Sequence, residues 1–366
     1  MASTISHFDP HAAGLEPVST AYPLVTDDKI SAVKLHLSSR NTMTNYDVFN
    51  GDADGICALQ QLRLHTPKES VLITGLKREI GLLSRVDAGL GDQITVLDVS
   101  LERNRAALDR VLNVGASVFY ADHHFPGEIP EHQNLDVHIN VTADTCTSLI
   151  VNKYLQGANA RWAVVGAFGD NFDQTARCLG VSIGLTESEL NQLQQLGICL
   201  NYNGYGFELD DLMFHPKVLF HMINPYSNPL DFIALEPGYG KLLAQFQADM
   251  KMAEDFSPET TNANGATYLL PNKSWAKRIV GVMGNELAKK HPDRAHALLV
   301  DMGTDGYRVS VRAPYSRKYG ADDLCRMFKS GGGRKAAAGI NQLEYELLSE
   351  FETKFFTQFS YKPTLA

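Results

Sequence analysis

From Tyr46 onward, short apolar runs alternate with stretches whose apolar residues recur at helical spacing. Tyr46-Asp47-Val48-Phe49-Asn50 reads as a strand that stops at Gly51. Gly55 to Leu64 then carries Ile56, Leu59, Leu62 and Leu64 on a helical period. Val71 to Thr74, Gln93 to Leu97 and Ala116 to Tyr120 read as further strands, with a helix over Arg103 to Asn113. Helices are predicted over residues 145–155 and around Trp162 to Phe168. Strands alternating with helices predict a parallel sheet covered on both faces. Pro237 to Asn262 reads as a helical, charged connection. Beyond it, Ala266 to Leu270 predicts a strand and Trp275 to Lys290 a helix. Ala297 to Met302 and Tyr307 to Arg312 form a hairpin across the Asp305-Gly306 turn signal. A helix over Ala321 to Phe328 leads into Gly331-Gly332-Gly333-Arg334. The expected class is α/β. Residues 1–44 would be an N-terminal arm, 45–236 the parallel-sheet domain, 237–265 a helical linker and 266–366 a smaller second α/β domain.

A chain of 366 residues exceeds what one hydrophobic core usually supports, which agrees with that division. No apolar run approaches the roughly 18–20 residues that span a bilayer, and Met1 to Pro10 lacks the basic start and apolar core of a secretory signal. Cys57, Cys146, Cys178, Cys199 and Cys325 are scattered and never spaced C-x-x-C. That argues against a disulfide framework and a structural zinc site, and makes the cytoplasm the expected location. With 33 basic against 42 acidic residues, the chain lacks the basic excess of a protein that grips long nucleic acid.

Three of the expected strands run into acidic residues. Asp52 and Asp54 follow the first, Asp98 ends the third, and Asp122-His123-His124 follows the fourth. Ligands of open parallel sheets bind at the carboxyl ends of the strands. Carboxylates gathered there repel each other unless a cation sits among them. Oxygen donors with one or two imidazoles suit Mn²⁺ or Mg²⁺ better than zinc or copper.

The segments Phe49 to Ile56 (FNGDADGI), Val96 to Ser100 (VLDVS), Ala121 to His124 (ADHH) and Gly169 to Asn171 (GDN) resemble, in order, the four motifs of the DHH phosphoesterases. Gly331 to Gly339 (GGGRKAAAG) resembles the glycine-rich signature of the DHH-associated C-terminal domain, and the resemblance covers roughly residues 45–350. That family includes RecJ exonucleases, nanoRNases and cyclic-dinucleotide phosphodiesterases. The resemblance implies an active site in the cleft between the two domains, holding two divalent ions, with Mn²⁺ preferred. By position, Asp52 and Asp54 would each favour one ion and Asp98 would bridge both. His123 and Asp170 would complete the second ion's shell. His124 would face the scissile phosphate, and Asp122 would orient the histidines. Gly331, Gly332 and Gly333 would present backbone N–H groups to a terminal phosphate, and Arg334 would add a fixed forked charge. Two positions depart from the family pattern. Val48 stands where nanonucleases usually carry a histidine, and Arg334 where the C-terminal signature usually ends in one.

Outside these motifs, Tyr202, Tyr205 and Phe207 are candidates for base stacking, and His215 and His221 read as structural. The leading expectation is hydrolysis of very short oligonucleotides, such as the linear dinucleotide pGpG, to mononucleotides. A RecJ-like single-strand exonuclease, a cyclic-dinucleotide hydrolase and an adenosine bisphosphate phosphomonoesterase are the enzymatic alternatives. A non-catalytic nucleotide-binding subunit is the alternative from another class. The expected partner is a short nucleotide substrate, with no long nucleic acid and no membrane, and homodimer formation is left open.

Overall fold

A computed structural model gives the fold and describes residues 43–360, so the arm expected over residues 1–44 lies almost wholly outside the described residues. The first lobe begins with β1 (Asn45–Phe49), α1 (Ala53–His65), β2 (Val71–Ile73), β3 (Gln93–Leu97), α2 (Leu101–Asn113), β4 (Ser117–Asp122) and β5 (Leu135–Ile139). Eight-residue α3 (Thr147–Tyr154) and then α4 (Ala160–Gly169), α5 (Asp173–Ser182) and α6 (Glu187–Gly204) follow. Three more helices, α7 (Pro216–Ile223), α8 (Pro229–Leu235) and α9 (Pro237–Glu254), complete the helical layer.

The five strands pair in parallel in the order β2-β1-β3-β4-β5. The chain leaves β1 toward one edge and, after β2, crosses back to β3, so the winding reverses between β1 and β3. In doubly wound sheets that reversal opens a crevice at the strands' carboxyl ends. The register sets Phe49 opposite Leu97, and Leu97 opposite Ala121. The residues following β1, β3 and β4 therefore emerge side by side. Alternate side chains pack on opposite faces: Val48, Val96 and Tyr120 lie in one core with α2, and Phe49, Leu97 and Ala121 lie in another with α1, α3 and α4.

The second lobe comprises β6 (Thr260–Thr261), β7 (Gly265–Leu270), α10 (Ser274–Lys290), β8 (Ala295–Asp301), β9 (Tyr307–Arg312), α11 (Ala321–Cys325), β10 (Gly331–Gly333), β11 (Ala337–Leu343) and α12 (Leu348–Phe359). Its sheet runs β10-β11-β9-β8-β7-β6, and only β7 and β8 pair in parallel. The predicted hairpin forms, with Gly306 at φ 88° after its turn.

The stretch expected as a linker is instead built into the packing. Helix α9 lies against α6 and α10, and one continuous core runs from Phe49 and Leu97 through Leu242 and Phe246 to Tyr268 and Leu298. Buried Arg278 of α10 ties these helices together. It pairs with Asp249 of α9 at 2.7 Å and donates to the Tyr202 hydroxyl of α6 at 2.8 Å. Among the described residues, no helix is long and apolar enough to cross a membrane.

Candidate active site

Asp52 ends the turn after β1 and caps α1. Its Oδ1 accepts from the backbone N–H groups of Asp54 and Gly55, both at 3.1 Å. Asp54, in the first turn of α1, reaches across to the start of α3. Its Oδ2 and Oδ1 accept from the N–H groups of Thr147 and Ser148, each at 2.7 Å. These donors have no partner within their own helix, so the carboxylate holds the α3 terminus as a cap would.

Asp98 follows β3 at φ 57°, a left-handed conformation that Asp tolerates better than most residues. Its N–H donates to Ala121 O at 3.1 Å, and its Oδ1 accepts from the Thr147 hydroxyl at 3.1 Å. Asp122 ends β4 with no exposed surface, and its Oδ1 lies 2.7 Å from His124 Nδ1. His123 Nδ1 lies 3.0 Å from Thr145 O. A carbonyl only accepts, so Nδ1 carries the proton and Nε2 presents its lone pair to the cleft. That Nε2 is 3.5 Å from Asp98 Oδ1 and 3.5 Å from Asp170 Oδ2. Asp170 sits at the carboxyl end of α4.

The predicted residues thus converge, with two refinements. First, the donor atoms form two groups, Asp98-His123-His124 and Asp54-His123-Asp170, each with all its ligand atoms within 4.8 Å of one another. Asp52 belongs to neither. Second, the glycine-rich segment is an edge strand rather than a loop. Gly331, Gly332 and Gly333 form β10 and pair with Ile340, Gly339 and Ala338 of β11. A Cβ at Gly331 would collide with the carbonyl oxygen of Cys325, so the glycine there admits the end of α11. Of the three, only Gly333 lines the cleft, beside Arg334. The Arg334 guanidinium crosses from the second lobe and stops 3.1 Å from His123 Nε2, at the carboxylate cluster itself.

Burial, aided by Asp52 and Asp54 nearby, raises the Asp98 carboxyl well above the usual carboxylate range. Burial raises Asp54 too, although His123 opposes it. At Asp170 burial is outweighed by Lys77, His123 and Arg334, which hold its carboxyl below the usual range. Buried carboxylates at such close quarters call for a cation. Carboxylate oxygens with an imidazole nitrogen fit a hard divalent ion, and His123 is placed to hold one with either Asp54 and Asp170 or Asp98 and His124.

Two basic residues here went unforeseen. Lys77 and Arg78 follow β2 and so arrive at the same sheet edge, a position that the strand-end rule itself points to. Lys77 Nζ donates to Asp52 Oδ2, to Asp170 Oδ1 at 3.2 Å and to Asn201 Oδ1 at 2.9 Å. Burial opposes its charge, but Asp52 and Asp170 prevail and raise the ammonium well above the ordinary lysine value. Arg78 extends toward Gly339 of the second sheet. Its own burial, with Arg308 and Arg312 nearby, pushes it down to about 10. Of the aromatic candidates, Tyr205 lines the cleft. Tyr202 is buried on Asp249, and Phe207 lies under the Arg308 guanidinium at 3.9 Å. His215 caps α7 by accepting from the Lys217 N–H at 3.1 Å, a structural role.

No protein-family model and no curated protein matches the chain. Solved structures do match. Exonuclease RecJ bound to manganese superposes with a TM-score of 0.55 at 17% identity, over 93% of this chain and 97% of that one. This chain has the RecJ fold. RecJ from Thermus thermophilus in complex with Mn²⁺ gives a TM-score of 0.60 at 17% identity over 92% of this chain, which spans 55% of that longer protein. The RecJ fold is shared by the pGpG-specific phosphodiesterase PggH from Vibrio cholerae, with a TM-score of 0.50 at 13% identity over 87% of this chain and 99% of PggH. The two lobes and the parallel sheet expected from the alternation of strands and helices are the ones found.

Proposed function

We propose that the chain is a metal-dependent phosphoesterase that hydrolyses very short oligonucleotides, such as linear pGpG, to mononucleotides, with Mn²⁺ the preferred ion. One observation carries this reading: carboxylates and His123 Nε2 converge where the sheet's winding reverses, and Arg334 meets them from the opposite lobe. RecJ was solved with manganese, and PggH is a pGpG-specific phosphodiesterase; both share the fold and support the reading. In this reading residues 45–236 form the catalytic domain and 266–366 the substrate-binding domain.

A divalent ion held there supplies Lewis acidity toward a phosphoryl oxygen and lowers the pKa of attacking water. The chain's own groups do the rest. Asp122 accepts the Nδ1 proton of His124, which turns the His124 Nε2 toward the cleft, where it can pass a proton to or from the reacting oxygens. Arg334 and Lys77 offset the charge that gathers on the phosphoryl oxygens.

Size favours a short substrate. The cleft measures about 760 Å³, inside the roughly 300–1,000 Å³ typical of small-molecule sites. The chain's net charge of −9 also works against holding a long strand. The test compares kcat/KM on two-, four- and ten-nucleotide RNAs at two salt concentrations, with and without chelator. Turnover should vanish on chelation, peak on the dinucleotide, fall with length and depend little on salt. Equal or better rates on the ten-mer would reject the dinucleotide in favour of a RecJ-like exonuclease. Activity that survives chelation would reject the metal.

A further inference from the structure

We propose that the Lys77 ammonium takes the place of one of the two cations implied by the DHH resemblance, so that the site holds a single divalent ion anchored on His123. This rests on the metal-dependent reading above and goes beyond it in fixing how many ions the chain takes.

The case begins with Asp52. Its Oδ1 is committed to two backbone N–H groups at the start of α1, both at 3.1 Å, and its Oδ2 receives Lys77 Nζ. An ammonium has three protons, and here each has an oxygen: Asp52 Oδ2, Asp170 Oδ1 and Asn201 Oδ1. Asn201 is 3% exposed, so its amide oxygen has little water to turn to instead. Lys77 is also held by its backbone. Its N–H donates to Gly204 O at 3.0 Å, and its carbonyl accepts from Asn50 Nδ2 at 3.2 Å. A small divalent ion must approach carboxylate oxygens to roughly 2.0–2.2 Å. An ammonium hydrogen-bonded to the same oxygens opposes that by contact and by charge.

The remaining donors count to one. Both candidate ligand groups include His123, and neither includes Asp52. His123 Nδ1 is engaged with Thr145 O, so Nε2 offers one lone pair, which accepts from Arg334 and which a single ion would take over. The two groups are then alternative seats for one ion, since each of them needs that lone pair. Position 48 agrees. Where the family pattern has a histidine, Val48 lies fully buried in the core beneath the sheet and offers no ligand.

The test counts ions. The full chain is stripped of metal, dialysed against Mn²⁺, and its bound manganese is measured by elemental analysis and by electron paramagnetic resonance. One Mn²⁺ per chain with the six-line signal of an isolated ion is expected. Lys77→Met keeps most of the side chain's bulk but frees Asp52 Oδ2, and should admit a second Mn²⁺ with a spin-coupled signal. Two coupled ions in the unmodified protein would overturn the inference and leave the phosphoesterase reading standing. So would a folded Lys77→Met variant that still takes one. No bound manganese in the unmodified protein would overturn both. The count on the unmodified chain decides the matter even if the variant does not fold.

Discussion

Arg334 Nη2 and His123 Nε2 meet 3.1 Å apart, one residue from each lobe. The histidine's other nitrogen is committed to Thr145 O, so Nε2 accepts and the arginine donates. That nitrogen has one lone pair, so it serves the arginine or a metal ion but not both, and an ion bound there displaces the guanidinium toward whatever anion the cleft holds.

Arg334→Ala should raise KM by about 10- to 100-fold, as expected for losing a hydrogen bond to a charged group worth roughly 1.5–3 kcal/mol. Arg334→Lys should recover only part, because the ammonium keeps the charge and lacks the fork. Steady-state kinetics on a phosphorylated dinucleotide checks both, and an unchanged KM in the alanine variant would reject contact with substrate.

Asp122 Oδ1 lies 2.7 Å from His124 Nδ1, and in the proposed reading it positions that histidine. Asp122→Asn can present an amide N–H to that nitrogen and favour the wrong tautomer. We expect kcat to fall by about 10- to 100-fold, the usual cost of losing such a partner, with KM little changed. The pH profile of kcat should also move, which a purely structural role would not produce.

Asp249 is 1% exposed and faces Arg278 and the Tyr202 hydroxyl. Asp249→Ala leaves a buried guanidinium uncompensated and should cost about 3–5 kcal/mol of stability. Urea unfolding monitored by circular dichroism measures this, and a loss below about 1 kcal/mol would show that Arg278 finds water or another acceptor.

His296 is fully buried on β8, and burial pushes its imidazole down to about 4 from an ordinary 6.5. Between those values the unfolded chain binds a proton that the folded chain refuses, so stability falls as pH drops from about 6.5 toward 4. The sensitivity ends below that, and the total is at most about 3 kcal/mol. His296→Phe keeps a ring and removes the titration. Its stability relative to the unmodified protein should improve steadily over that interval, and a pH-independent difference would contradict the assignment.

The sheet was legible where strands are buried on both faces and end in acidic residues. Gln93 to Leu97 is found as expected, and so are the neighbours that bring Asp98 and Asp122 together. Strand β5 went unread although Leu135, Val137 and Ile139 alternate with Asp136 and His138, the pattern of a half-buried strand at a sheet edge. The cluster could be read because each member sits beside a strand or helix end. Lys77 follows β2 and so falls under the same rule, but its contact with Asp52 depends on β2 lying next to β1, which no local pattern states. Gly331 to Gly333 were legible as a special backbone but not as an edge strand, whose pairing with β11 and close approach to the Cys325 carbonyl no local pattern states.

His123 and Arg334 lie 211 residues apart in the chain. A ribosome works from the amino terminus, and lobes fold in the order they emerge. The carboxylates and their lysine are thus made well before the arginine that completes the pocket. A nascent chain that stalls after the first lobe would present an acidic, ion-collecting crevice with no lid of its own. The last strands to be synthesised turn that crevice into a site that can receive an anion.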